Sequence, residues 1–153
     1  MVVIVPFDGS ALSKTALLHA ERASELYDES PVAVAVIPRH NTEYARENGW
    51  ISEEETFDEE TVVSHLREQV AAVDPDIDFE HLLVDRYASS GTISSRIRRF
   101  ARNRGTVAIF IGSENAGHSM IGTTSVGGRV AFEGAYDIAI IRNVHPEFAG
   151  EES

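Results

Sequence analysis

The chain has 153 residues, of which 42% are hydrophobic and 25% charged, and this size and composition fit one globular domain with a sizeable core. Its formal net charge of −12, with Lys14 as its single lysine, argues against sequence-independent binding to nucleic acid, which needs Lys and Arg to neutralise phosphates. The lack of cysteine excludes disulfides and thiolate sites, and no apolar run is long enough for a membrane helix or a signal peptide, so we expect a cytoplasmic protein.

The first third of the chain alternates apolar runs with an amphipathic segment. Residues 2–5 and 31–38 are continuously apolar, which predicts strands that are buried on both faces, as in a parallel sheet. Between them the spacing of apolar residues predicts a helix that ends at about Leu26. Either Asp8 or Ser10 can cap its N-terminus, because both side chains accept hydrogen bonds from free N–H groups.

The middle of the chain begins with a polar stretch, residues 39–55, which is predicted to be the longest irregular segment. Two interpretations stay open for it: a lid over a binding site, or an exposed acidic excursion. Apolar spacing then predicts a helix from about residue 58 to 72, a strand over 79–84 and a helix over 89–103.

The last third contains a strand over 107–111, a helix over 125–132 and a strand over 137–141, and residues 1–143 are predicted to form one domain followed by a polar tail, 144–153. Strands that alternate with helices predict an α/β fold with a doubly wound, open parallel sheet. Ligands on such sheets bind beyond the carboxyl ends of the strands, where the winding reverses. Asp8 and Gly112, which end the first and fourth strands, are therefore candidate site residues.

The loop after the fourth strand is rich in glycine and hydroxyl side chains, which predicts a phosphate cradle at a helix N-terminus. Gly117 and Gly122 have the spacing of a P-loop, but Thr123 stands where its lysine must be, so a P-loop NTPase is rejected. Backbone amides and the Ser125 hydroxyl remain able to hold a phosphate. The alternative is a structural connection that binds nothing.

Other constellations give no catalytic or metal site. Asp74, Asp76 and Asp78 alternate as in a calcium loop, but Phe79 replaces the required glycine, and the histidines lack zinc-site spacing. Ser125 lacks the glycine that a nucleophile elbow needs two residues before it. Asp8 either accepts hydrogen bonds from a ribose or base or caps the first helix.

An arginine cluster, residues 96–104, is the one basic patch of the sequence. It either offsets nearby carboxylates or marks a surface for a partner protein.

Two segments, VVIVPFDGSALSKTALLHA (2–20) and VAIFIGSENAGHSMIGTTSVGGRVAFEGAYDIAIIR (107–142), resemble the opening and closing parts of universal stress proteins. The resemblance implies a five-stranded parallel sheet of order 3-2-1-4-5 with helices on both faces, the adenine nucleotide alpha hydrolase-like fold. It also implies a homodimer through the last strand, 137–141. One branch of the family binds ATP through the pattern Gly-x2-Gly-x9-Gly-Ser/Thr.

This chain departs from that pattern at two glycines. Gly112 and Ser125 match it, whereas Asn115 and Thr124 replace the second and third glycines and the loop is one residue shorter. Asn tolerates a left-handed backbone, but a β-branched residue resists it. The contacts that the resemblance implies are Asp8 and Val36 toward the nucleoside, and Gly112, Asn115, Ser125, Val126 and Gly127 around the phosphates.

The resemblance favours an acidic, haloarchaeal-type universal stress protein, a dimeric and non-enzymatic stress-response module that binds ATP or AMP with Mg²⁺. The alternative is a dimer of the same fold that binds no nucleotide and acts through protein–protein contacts. Slow nucleotide hydrolysis ranks third, because no residue stands out as base or nucleophile. No role for a membrane, a catalytic residue or a protein-held metal is expected.

Overall fold

The structure, a computed structural model, describes residues 2–112 and 136–150. Its five strands form one parallel sheet in the order β3-β2-β1-β4-β5, as the resemblance implies. The elements in chain order are β1 (Val2–Pro6), α1 (Ala11–Tyr27), β2 (Pro31–Pro38), α2 (Thr42–Glu47), α3 (Glu59–Val73), β3 (Asp78–Val84), α4 (Ser90–Asn103), β4 (Thr106–Gly112), β5 (Asp137–Ile141) and a 3-10 turn (Pro146–Phe148).

The two faces of the sheet carry separate hydrophobic cores, because successive side chains of a strand point to opposite faces. On one face Val3 and Val5 of β1 pack with residues of α1 and α3, including Leu17 and Leu66. On the other face the intervening Ile4 packs with residues of α4. Helices therefore cover both faces, and the continuously apolar sequences of β1 and β2 are explained by burial on both sides.

Helix α1 is capped by Ser10 rather than by Asp8. The Ser10 side chain accepts a hydrogen bond from the Ser13 N–H at 3.1 Å, and the Ser13 hydroxyl donates to the Ser10 carbonyl at 2.9 Å. The Asp8 carboxylate instead accepts from the Ser10 N–H at 2.9 Å. The cap interpretation of Asp8 is therefore wrong, and the carboxylate belongs to the turn that precedes the helix.

Replacing Ser10 with alanine is expected to lower the free energy of unfolding by about 1 kcal/mol, because the Ser13 N–H loses its acceptor at the first turn of α1. Urea denaturation measures the change. Ser10→Asp restores an acceptor at the same place and serves as the control. Equal stability of the alanine and aspartate variants would contradict the assignment of this cap.

The stretch 39–55 differs from the prediction of an irregular segment. It contains α2, whose N-cap Asn41 accepts from the Tyr44 N–H at 2.9 Å, and it buries Ala45, Trp50 and Ile51 in the core under α1 and α3. The exposed-excursion interpretation is therefore wrong for these three residues, although the acidic residues 53–55 are exposed.

The segment after Asn143 also differs from the polar tail that the sequence predicts. Phe148 is only 7% exposed and packs with Ala11, Leu18 and Val73, and the His145 N–H donates to the Thr15 hydroxyl at 3.0 Å. Residues 145–148 are thus joined to α1, while the predicted domain limits stay a prediction.

The predicted helix over 125–132 lies outside the described residues. Within 2–112 and 136–150, no helix is long and apolar enough to cross a membrane.

Candidate functional site

The winding of the sheet reverses between β1 and β4. From β1 the chain builds outward through β2 to β3, and it then returns to the other side of β1 to add β4 and β5. Because β1 and β4 are parallel neighbours, with Ile4 opposite Ile109, their carboxyl ends meet at one edge. This is the place where ligands of doubly wound sheets bind, and Asp8 and Gly112 lie there.

Asp8 is exposed in the turn between β1 and α1, and this turn is fixed at two points. The carboxylate Oδ1 accepts from the Ser10 N–H, and the Asp8 carbonyl accepts a hydrogen bond from the Trp50 indole Nε1–H at 2.7 Å. Gly9, between them, has a φ of +84°, a left-handed conformation that strains residues with a side chain, so glycine is favoured here. Among residues 2–112 and 136–150, no group donates a hydrogen bond to the second carboxylate oxygen, Oδ2.

Val36 contributes backbone groups to the same edge. Its side chain is 7% exposed and packs in the core under α4. The Val34 carbonyl accepts from the Phe7 N–H at 2.8 Å, and in a parallel strand alternate residues direct both backbone groups to the same neighbour. The N–H and C=O of Val36 therefore point to the β1 side, beyond Pro6 where β1 ends.

Gly112, the last residue of β4, lies directly against α1. A Cβ built on it would overlap the Leu12 carbonyl group and would lie 3.0 Å from the Ala16 Cβ. The close approach of helix and strand therefore explains this glycine without reference to a ligand. The motif placed Gly112 correctly at the edge, but its phosphate contact stays a prediction.

The aromatic pair Tyr44 and Trp50 lines the Asp8 turn, and the sequence analysis assigned it no role. The ring centroids lie 5.4 Å apart at an interplanar angle of 61°, which is an edge-to-face contact. Burial raises the pKa of the Tyr44 phenol, and the carboxylates of Asp8 and Glu47 raise it further. A neutral hydroxyl thus lies near the Asp8 carboxylate. The signal that could have found this pair is a lone tryptophan in an otherwise polar stretch.

The arginine cluster on α4 is partly explained by contacts within the molecule. Arg104 forms an ion pair with Glu80 and stacks on Phe100, with its guanidinium carbon 4.6 Å from the ring centroid. Arg96 donates to the Leu83 carbonyl at 3.3 Å. The prediction that these arginines offset nearby carboxylates is confirmed for Arg104, whereas Arg96 bonds a backbone carbonyl.

The remaining predicted site residues, Asn115, Ser125, Val126 and Gly127, lie outside the described residues. In the part of the chain that the structure does describe, no group of three His, Asp or Glu side chains is arranged to hold a metal ion. What the structure brings together is the Asp8 turn, the backbone of Val36 and the end of β4 at Gly112.

The sequence matches no family model and no curated protein. Solved structures, in contrast, align over nearly the whole chain. A universal stress protein in complex with cAMP has a TM-score of 0.54 at 15% identity, with 93% of this chain and 97% of that chain covered.

Two further structures agree with the first. UspA from Lactobacillus plantarum has a TM-score of 0.51 at 15% identity, with 93% of this chain and 97% of that chain covered. A universal stress protein family structure from Burkholderia pseudomallei has a TM-score of 0.50 at 20% identity, covering 93% and 96%. The chain therefore has the fold that universal stress protein structures share.

Proposed function

We propose that this chain is a universal stress protein that binds an adenine nucleotide at the carboxyl edge of its sheet. The observation that carries the proposal is the exposed Asp8 carboxylate, held by two hydrogen bonds of its turn at the point where the winding of the sheet reverses. Support also comes from the resemblance of residues 2–20 and 107–142 to the family, and from the cAMP complex of one structure with the same fold.

The groups at this edge fit the parts of a nucleotide by their chemistry. The Asp8 carboxylate accepts hydrogen bonds, as a ribose with two hydroxyl donors requires, and it would repel a phosphate. The N–H and C=O of Val36 pair with the donor and acceptor edge of an adenine. We propose that the phosphates, as a Mg²⁺ complex, are bound by the loop that follows Gly112, through Asn115, Ser125, Val126 and Gly127. We propose a binding function, because the motifs supply no paired nucleophile and base.

The proposal is tested by release of bound nucleotide from heat-denatured protein and by calorimetry with ATP and AMP, with Mg²⁺ and molar salt. Asp8→Asn is expected to weaken binding about tenfold or more, since a hydrogen bond to a charged group contributes roughly 1.5–3 kcal/mol. Asp28→Asn is the matched control, because Asp28 is also exposed but lies at the other end of α1. The proposal is refuted if the wild-type protein releases no nucleotide on denaturation and gives no binding heat with ATP or AMP.

We also propose that the chain forms a homodimer through the edge of β5. Within the described residues β5 pairs only with β4, and Ile138, Ile140 and Ile141 are half-buried rather than buried. An unpaired strand edge with apolar side chains is a ready site for pairing with a second copy. Sedimentation velocity at molar salt is expected to give a dimer, and Ile140→Asp a monomer. A wild-type monomer would contradict this.

The charge of −12 with one lysine supports a further part of the proposal, adaptation to a cytoplasm of high salt. At about 1 M salt the Debye length falls to about 3 Å, so repulsion between surface carboxylates is screened. The melting temperature is expected to rise with KCl concentration. A melting temperature that is independent of salt would contradict this part alone.

A further inference from the structure

Trp50 is a buried aromatic residue with one polar contact to the candidate site. Its side chain is 3% exposed, although the stretch around it is largely polar. The indole Nε1–H donates to the carbonyl of Asp8 at 2.7 Å, across 42 positions of sequence. A buried indole N–H needs an acceptor, and here that acceptor is the backbone of the turn that carries the Asp8 carboxylate.

Trp50 is itself fixed from several sides. Its backbone N–H donates to the Ala45 carbonyl at 2.8 Å, and its ring meets that of Tyr44 edge to face. Helix α2 is in turn joined to the turn after β3, because the Asn41 amide donates to the Arg86 carbonyl at 2.7 Å. The indole N–H is therefore presented to Asp8 from a part of the chain that is packed into the core.

The Asp8 turn needs such a contact, because its next residue is glycine. Gly9 has a positive φ and no side chain, so the peptide between Asp8 and Gly9 is free to rotate unless its carbonyl is held. The Ser10 N–H fixes one carboxylate oxygen, and the Trp50 indole fixes the carbonyl. Together the two hydrogen bonds set the direction of Oδ2.

We infer that Trp50 is a positioning residue for ribose recognition, since it holds the Asp8 turn so that the carboxylate faces the ribose hydroxyls. The inference rests on the proposed nucleotide site. It makes the stretch 39–55 a supporting wall of the nucleoside end of that site. Trp50 contacts no nucleotide itself.

The test compares ATP with 2′,3′-dideoxy-ATP, which lacks both ribose hydroxyls. We expect the wild-type protein to bind ATP more tightly than the dideoxy nucleotide. Trp50→Phe keeps an aromatic ring against Tyr44 but removes the N–H, and it is expected to weaken ATP binding by about three- to tenfold, the size of one hydrogen bond. Its affinity for dideoxy-ATP is expected to stay unchanged. The dissociation constant for dideoxy-ATP divided by that for ATP therefore falls from the wild-type value toward the value in Asp8→Asn.

Two controls separate positioning from a loss of packing. Ile51→Val shortens the neighbouring buried side chain of the same core without removing a hydrogen-bond donor, and it should leave the ratio of dissociation constants unchanged. Because Trp50 is the only tryptophan, it can also be replaced throughout by benzothienylalanine, in which sulfur takes the place of the N–H in a ring of the same shape. This analogue is expected to reproduce the effect of Trp50→Phe.

The outcomes distinguish this inference from the proposed function. If the wild-type protein binds ATP, but the ratio of the two dissociation constants is unchanged in Trp50→Phe and in the analogue, the inference is overturned. The proposed nucleotide site is not affected by that result. Equal weakening of ATP and dideoxy-ATP assigns Trp50 a structural role only and also overturns it. No binding of either nucleotide by the wild-type protein overturns both.

Discussion

Replacing Gly112 with valine is expected to cost about 3 kcal/mol or more of folding free energy, because the new Cβ would overlap the Leu12 carbonyl of α1. The obstacle is backbone at the first turns of a packed helix, so it cannot be removed by a change of rotamer. The Ala16 Cβ, 3.0 Å from the new Cβ, also prevents a shift of the strand toward that side of α1. A loss of this size is a large part of the roughly 5–15 kcal/mol that stabilises a domain.

Chemical denaturation of Gly112→Val and Gly112→Ala measures the loss, and alanine already carries the offending Cβ. Gly91→Ala is the matched control. A Cβ on Gly91 would meet only the Ser89 Oγ, at 3.6 Å, and Gly91 lies in the first turn of α4, where alanine is expected to be neutral or stabilising by about 0.5–1 kcal/mol. Wild-type stability of Gly112→Ala would show that β4 and α1 do not approach each other this closely.

This prediction also determines how nucleotide binding should be tested. A failure of Gly112→Val to bind nucleotide would be explained by its loss of folding, so it carries no information about phosphate contacts. Asp8→Asn and Ser125→Ala change polar groups without adding volume. They are therefore the informative variants.

Replacing Phe148 with alanine is expected to lower the free energy of unfolding by about 3 kcal/mol, the lower end for a buried phenylalanine. The ring packs with Ala11, Leu18 and Val73 at the margin of the molecule rather than in the two main cores. If residues 145–148 detach from α1, no cavity is left beneath them. The loss of stability therefore cannot exceed the free energy with which these residues are docked on α1.

Urea denaturation gives the total loss, and hydrogen exchange shows whether it is local. The His145 amide, which donates to the Thr15 hydroxyl, is expected to exchange faster in Phe148→Ala. Val144→Ala is the control, because Val144 is 39% exposed and its truncation should change stability by less than about 0.5 kcal/mol. If Phe148→Ala behaved like Val144→Ala, the docking of this segment would be contradicted.

The sequence predicts the strands and long helices of this fold well, for a physical reason. Residues 31–38 are buried along their whole length, so only apolar residues are tolerated, and the run of alanine and valine marks the strand to its ends. The sequence pattern does not predict helix α2. With six residues and one buried side chain, Ala45, it is too short to show an apolar period. Phe148 is similarly a single apolar side chain in a polar segment.

For the candidate site, the sequence identifies the edge but not the contacts within it. Asp8 follows from its place after a buried strand, and the structure shows that Ser10 rather than Asp8 caps the helix. The contact between Trp50 and Asp8 joins positions 42 apart, and no local pattern encodes it. The steric need for Gly112 likewise arises only when α1 packs on β4.

The central place of β1 has a consequence for synthesis on the ribosome. β1 is translated before its partner β4, which begins at Thr106, about a hundred residues later along the chain. At roughly 5–20 residues per second, that edge of the nascent sheet waits for several seconds without its neighbour. During this interval Val3, Ile4 and Val5 are protected on one side only, by β2. The unpaired edge of the nascent sheet is exposed to aggregation during this interval.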